Sequence, residues 1–137
     1  SKMPIIGFNL DKINVEKTSA IKGKIQIKND LGITDIETEK ITFGSEQDVL
    51  KLNFKYKIDY EPKLGNISIK GHILYLAEKK EKDNILKEWK KDQKLPNEIM
   101  PLIFNTILAK CNIKALTLSQ EVNLPPHISL PKLQPKK

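Results

Sequence analysis

The sequence predicts an α+β fold, in which a four-stranded antiparallel sheet carries a short and a long C-terminal helix on one face. In the first half of the chain, apolar and polar residues alternate, which is typical of strands with one buried face. Turn residues separate two of these alternating segments. Beyond residue 83, apolar residues recur at helical spacing instead. With 137 residues, 39% of them hydrophobic and 30% charged, the chain suits a single domain, residues 1–137, with its own core.

The clearest strand pair lies between residues 48 and 78. Even positions are apolar from Leu50 to Tyr60, and odd positions are apolar from Ile67 to Ala77, on the far side of the turn residues 62–65. Pairing Tyr60 with Ile67 places both apolar rows on one face. This hairpin is therefore the predicted centre of the sheet.

Two further strands are predicted before the hairpin. The alternation that starts at Ile6 slips by one residue at Asp11 and resumes at Ile13, as in a strand with a β-bulge. A second, short strand is centred on Ile27. Residues 33–44 have no steady period, so this segment either continues the second strand or crosses as a loop.

A short helix is predicted over residues 83–93, with Asp83 or Asn84 as its N-cap. Its apolar stripe consists of Ile85, Leu86 and Trp89. We expect this stripe to cover Leu74 and Leu76, which are apolar residues on the otherwise polar row of the last strand.

A long helix is predicted over residues 97–121, with Asn97 as its N-cap and Pro101 near its start. It is apolar around most of its circumference, so we expect a second protomer or a bound apolar segment to cover part of it. The candidate oligomer interface comprises Met100, Phe104, Leu108 and Cys111. The prolines that follow predict an extended tail over residues 122–137.

Residues with catalytic or metal-binding chemistry are sparse. One cysteine, Cys111, and two histidines, His72 and His127, are too few for a closed zinc site, and Cys111 at helical spacing is expected to be a small core residue. No glycine run resembles a phosphate cradle and no serine sits in an elbow between glycines. We therefore expect no cofactor, no metal and no enzymatic activity.

The net charge of +7 raises the hypothesis of nucleic-acid binding through a lysine-rich sheet face. All 24 basic residues are lysine, however, and they are spread along the chain, which favours a solvated surface. Nucleic-acid binding therefore stays an alternative hypothesis. No segment has the length of a membrane span or the pattern of a signal peptide, so we expect no membrane insertion and a cytoplasmic location.

Several motifs occur in a recognisable order. Pro96-Asn97 and Pro101 introduce the long helix, Cys111 lies within it, and Leu124-Pro125-Pro126 follows it. This arrangement, after four strands and a short helix, resembles the bacterial export chaperone SecB and its SecB-like relatives, with a tail similar to archaeal proteins of this type. The resemblance covers almost the whole chain in pattern.

The resemblance implies an ATP-independent holdase that binds unfolded or precursor polypeptides in apolar grooves of a homo-oligomer, a dimer or a tetramer. The groove residues that it implies are Ile33, Ile36, Ile41, Phe43, Leu74, Leu76 and Trp89. SecB offers an acidic sheet face to the translocase motor SecA, whereas the polar face here is rich in lysine, so SecA docking is not expected. An oligomeric scaffold without clients is a further alternative.

Overall fold

The computed structural model describes residues 4–20, 22–43 and 45–128. In chain order, its elements are β1 (Ile5–Lys17), β2 (Gln26–Phe43), β3 (Ser45–Glu61), β4 (Gly65–Tyr75), α1 (Lys79–Asp92) and α2 (Met100–Glu121). The strands form one antiparallel sheet in the order β1-β4-β3-β2. Both helices contribute to the core on one side of this sheet, which we call the inner face. The predicted α+β architecture is confirmed.

The central hairpin β3–β4 supplies most of the core. Every even residue of β3 from Leu50 to Tyr60 is buried, as the alternation predicts. The predicted pairing of Tyr60 with Ile67 is wrong by two residues, because the turn comprises only residues 62–64. Tyr60 pairs with Gly65, and Ile67 pairs with Ile58. A shift of two residues keeps every side chain on its predicted face.

The outer strands pair with this hairpin on either side. The predicted bulge in β1 is confirmed by a register shift between Leu10 and Lys12. The ambiguous segment continues β2, which is 18 residues long and has its own register shift between Ile33 and Asp35. The opposing residues of β3 explain this extension, because Ile33 and Ile36 add to the inner face opposite Phe54 and Leu52.

Helix α1 begins four residues earlier than predicted, and neither Asp83 nor Asn84 is its N-cap. The first turn is anchored to the sheet instead. The Tyr75 hydroxyl donates a hydrogen bond of 2.9 Å to Glu81, and Lys82 pairs with Asp48 at 2.9 Å. These contacts stabilise a helical conformation in residues 79–82, which the sequence pattern did not assign to the helix.

Helix α2 ends at Glu121 as predicted but begins at Met100, so Asn97 is not its N-cap. Residues 97–99 form a turn, in which the Pro96 carbonyl accepts hydrogen bonds from the amides of Ile99 and Met100. Pro101 lies in the first helical turn, where a missing amide hydrogen costs little. No helix in the described part of the chain is long and apolar enough to cross a membrane.

Candidate functional site

Helix α2 is packed along one side on the inner face. Its side chains in contact with the core are buried and form a continuous row: Ile103, Ile107, Cys111, Ala115 and Leu118. The two flanks of this row differ in chemistry. One flank carries Phe104, Leu108 and Asn112, whereas the other carries Thr106, Lys110 and Lys114.

The hydrogen bonds of Asn112 show which strand the first flank faces. Its Oδ1 accepts a bond of 2.6 Å from the Tyr56 hydroxyl, whose oxygen also lies 3.4 Å from the donating amide of Asn29 on β2. Leu108 and Phe104 precede Asn112 by one and two helical turns, so they lie on the same flank. We call this side of α2 the β2 flank.

An apolar strip lies along the β2 flank. It comprises Leu31 and Ile33 on β2 and Phe104 and Leu108 on α2, and all of them are half-buried against the core. On β2, Leu31 and Ile33 lie opposite Tyr56 and Phe54, which places them on the inner face. The strip is thus apolar on its strand side and on its helix side.

The strip borders an edge of the sheet. Strand β2 pairs with β3 alone, so one of its two backbone edges has no partner strand in the described part of the chain. An unpaired edge offers amide and carbonyl groups that can pair with an extended polypeptide. Apolar side chains and backbone hydrogen-bonding groups are therefore available side by side.

A polar cluster closes one end of the strip. His127 Nε2 lies 2.8 Å from the Tyr56 hydroxyl oxygen and 3.1 Å from Asn112 Oδ1. Because the Tyr56 hydroxyl donates to Asn112, we assign Nε2 as the protonated nitrogen of the ring. His127 Nδ1 is buried without a hydrogen-bond partner in the described structure. Burial lowers the pKa of His127 and raises that of Tyr56 to about 12, so both side chains are neutral at pH 7.

The tail reaches this cluster along a fixed path. The Leu124 amide donates to the Ser119 carbonyl at 2.8 Å, and the Tyr60 hydroxyl donates to the Pro125 carbonyl at 2.6 Å. Leu124 is itself buried. Residues 124–127 are thus docked on the inner face, which agrees with an extended tail, while residues 129–137 lie outside the described part of the chain.

The opposite side of α2, which we call the β1 flank, is covered differently. The Phe8 ring of β1 stacks on Phe54 with a centroid separation of 5.4 Å, and Lys110 Nζ lies 5.3 Å from the Phe8 centroid. An ammonium group over an aromatic face is attractive. The helix side of this flank is therefore cationic and polar, unlike the apolar strip.

The side of α2 that points away from the sheet forms an uncharged stripe. The stripe comprises Leu102, Asn105, Ala109, Ile113, Leu116 and Gln120. Leu102 is 43% exposed and Ile113 is 69% exposed, which is high for side chains of this type. An apolar helix face without charges is typical of a surface that contacts another protein.

The groove residues implied by the family resemblance do not lie on one surface of the protein. Ile33, Ile36 and Trp89 contact the core of the inner face, and Ile36 is buried there. Ile41 and Leu74 pair with residues of the opposite, outer face. Leu76 follows β4 and is half-buried, and the side chain of Phe43 lies outside the described residues.

The expectation that α1 covers Leu74 is wrong, and its coverage of Leu76 stays a prediction. The stripe of α1, Ile85, Leu86 and Trp89, packs on the inner-face core. Leu74 instead lies over Gly7 of β1, where its Cδ1 would be 3.1 Å from an added Cβ. The glycine supplies the space that Leu74 fills.

The predicted interface residues of α2 also separate. Met100 is 37% exposed and Phe104 and Leu108 are half-buried, whereas Cys111 is completely buried, in agreement with its interpretation as a core residue. Burial raises the pKa of the Cys111 thiol to about 11, so it is protonated at pH 7 and is a weak nucleophile.

Both histidines make specific side-chain contacts. His72 Nδ1 lies 2.7 Å from Asp11 Oδ2 on the outer face, and His127 belongs to the polar cluster. The described residues contain no group of three or more histidine, cysteine, aspartate or glutamate side chains that could hold a metal ion.

Sequence reasoning missed Tyr56, Asn112 and His127 as a cluster and Leu31 as part of the strip. Tyr56 and Leu31 occupy apolar positions of the strand alternation, which could have placed them on the inner face. The partnership of residues as distant as Tyr56 and His127 depends on the docking of α2 and the tail, for which the sequence has no local signal.

Comparisons with known proteins add one structural neighbour. It is the SecB-like chaperone Rv1957 of Mycobacterium tuberculosis, solved in complex with a ChAD peptide from the Rv1956 HigA1 antitoxin, with a TM-score of 0.48 and 12% sequence identity. The alignment covers 97% of this chain and 91% of that chain. No protein-family model matches the sequence, and a search of curated proteins finds no match.

Proposed function

We propose that this protein is an ATP-independent holdase chaperone that binds extended apolar segments of unfolded polypeptides. The observation that carries the proposal is the apolar strip on the β2 flank, which lies beside the unpaired edge of β2. The sequence motifs that resemble the SecB family also support it. Clients would include unfolded or precursor polypeptides in the cytoplasm, and neither a cofactor nor a catalytic step is required.

The chemistry of the strip favours weak, broad binding. A fully buried leucine, isoleucine or phenylalanine contributes about 1.5 to 3 kcal/mol, but the side chains of the strip are already half-buried and gain only part of that. An unfolded client also loses conformational freedom when it binds. We therefore expect an affinity of roughly micromolar, with little sequence preference beyond apolar content.

We further propose that the uncharged stripe of α2 joins copies of this chain into a dimer or tetramer. Self-association would remove Leu102 and Ile113 from water and leave the β2 flank available to clients. Sedimentation of the double variant Leu102→Lys, Ile113→Lys tests this role. A shift from oligomer to monomer would support it, whereas an unchanged mass would contradict it.

Suppression of aggregation tests the holdase proposal. The full chain, added at a stoichiometric amount to a chemically denatured protein on dilution, should reduce light scattering. The variant Ile33→Gln on β2 should lose most of this effect. Ile13→Gln is the matched control, because Ile13 is also an inner-face isoleucine of an edge strand but lies on β1. No suppression by the unaltered protein, or an equal loss in both variants, would contradict the proposal.

A further inference from the structure

The outer face of the sheet carries charges in a regular arrangement. At three positions, directly opposite residues of β2 and β3 carry opposite charges: Lys28 and Asp59, Asp30 and Lys57, and Glu37 and Lys51. Opposite charges at such positions stabilise a sheet, whereas like charges destabilise it. Two of the three lysines on β3, Lys51 and Lys57, thus lie opposite a carboxylate of β2, and Lys57 also lies 3.6 Å from Asp59 of its own strand.

One cross-strand row breaks this pattern. Lys55 of β3 pairs with Lys70 of β4, and Lys70 pairs with Lys12 of β1. We call these residues the lysine row. None of them has an ion-pair partner within 4 Å among the described residues. The nearby carboxylate of Asp11 is bonded to His72 instead.

The row ends in open space at β2. The residue opposite Lys55 is Gly32, and a Cβ placed there would meet no atom within 4 Å. A side chain that could neutralise Lys55 is thus missing from the position where the other β3 lysines have one. Lys12 and Lys70 are exposed, and Lys55 is half-exposed to solvent.

From this arrangement, we propose that the lysine row is a docking site for a short acidic segment of another polypeptide, separate from the apolar strip on the inner face. Neighbouring strands are about 4.8 Å apart, so the row spans about 10 Å, which is the length of three to four residues of extended chain. Two or three closely spaced carboxylates would match its charges. Carboxylates of the bound segment would neutralise Lys55, which lies opposite Gly32 and therefore has no side chain facing it on β2.

The surroundings favour an acidic peptide over a nucleic acid. Carboxylates of β2, including Asp30, Asp35 and Glu37, flank the row and would repel a long polyanion that extended beyond it. No phenylalanine, tyrosine or tryptophan side chain among those described lies on the outer face to stack on bases. Arginine, which binds phosphate with a two-pronged geometry, does not occur in the chain.

The test uses the full chain and a short peptide with a central run of glutamates, labelled with an uncharged dye, and measures anisotropy at low and high salt. The glutamate peptide should bind, binding should weaken with salt, and the same peptide with glutamines should not bind. The double variant Lys55→Gln, Lys70→Gln should weaken binding about tenfold, since each exposed charge pair contributes modestly.

The matched control is Lys87→Gln, Lys90→Gln, which removes the same charge from exposed positions of α1 and should leave binding unchanged. An equal loss in both double variants, or no binding at low salt, would overturn the proposal. Tighter binding of a single-stranded RNA homopolymer, lost in the Lys55 and Lys70 variant, would also overturn it and assign the row to nucleic acid. Suppression of aggregation should be unchanged in this variant, so the two proposals fail independently.

Discussion

The two flanks of α2 lie on the same inner face of the sheet but differ in chemistry. On the β1 flank, an apolar strand surface is matched by Lys110 and by the stack of Phe8 on Phe54. On the β2 flank, Phe104 and Leu108 face the apolar residues Leu31 and Ile33, and the described residues show no ammonium group over the Phe104 ring. The comparison teaches that the two edges of the inner face differ in the chemistry of the facing helix, polar and cationic at β1 and apolar at β2, although both carry half-buried apolar side chains.

A pair of phenylalanine truncations should separate stability from binding most strongly. We expect Phe8→Ala to lower the free energy of unfolding by about 2.5 kcal/mol, because it removes half-buried apolar area and also the stack on Phe54. Phe104→Ala should cost about 1.5 kcal/mol, since its ring is also half-buried but has no ring stack in the described part of the chain. Denaturant unfolding gives both values, and a client-binding titration should show the reverse order of effect. Equal costs and equal binding would mean that the flanks do not differ.

The polar cluster should decide whether the tail stays docked at the end of the strip. Tyr56→Phe removes the hydroxyl that joins Asn112 and His127, so we expect a loss of about 1 kcal/mol. Limited proteolysis should then cut the tail faster. Tyr75→Phe is the control, because its hydroxyl bonds Glu81 of α1. Faster tail cleavage in the control variant would argue against a specific role of the Tyr56 hydroxyl in holding the tail.

Acidification should loosen the same end of the β2 flank. Burial lowers the pKa of His127 below its ordinary value of 6.5, so the docked ring stays neutral while the ring of the unfolded chain takes up a proton. The contribution of His127 to stability is therefore present above pH 6.5 and decreases as the pH falls from there towards the lowered pKa. Thermal unfolding at several pH values should show a smaller decrease in His127→Asn than in the unaltered protein. Identical pH profiles would contradict this role.

The smallest effect is expected on the β1 flank. Lys110→Gln removes the cation above the Phe8 ring and should cost about 0.5 kcal/mol. The same change at Lys114, which lies one turn further on, should cost less because no ring contact is recorded for it in the described structure. Thermal unfolding of both variants makes the comparison. A larger loss at Lys114 would mean that the ammonium over Phe8 does not contribute to covering this flank.

The sequence was a good guide to the sheet. The alternation in β3 and β4 predicts the buried row correctly, and the slip at Asp11 predicts the bulge in β1. These signals are local, because the alternation of apolar and polar residues within a strand indicates which face is buried. Strand β2 was ambiguous since its bulge after Ile33 shifts the alternation by one residue.

The candidate site was harder to predict because it depends on contacts between distant segments. Helix starts were misplaced where tertiary bonds, such as Tyr75 to Glu81, decide the first turn. The groove residues implied by the family resemblance come from both faces of the sheet. Leu74, for example, is apolar but lies on the outer face, where it fills the space over Gly7. Of that set, Ile33 remains in the proposed strip, and Leu31, Phe104 and Leu108 join it only once α2 is placed on the sheet.

Site-specific photo-crosslinking tests the central claim most directly. A photoreactive amino acid at position 108 lies on the β2 flank, and one at position 110, two residues away on the same helix, lies on the β1 flank. With an unfolded client present, we expect a strong crosslinked product from position 108 and little from position 110. Equal products from both positions, or a product from position 110 alone, would contradict the assignment of client binding to the apolar strip.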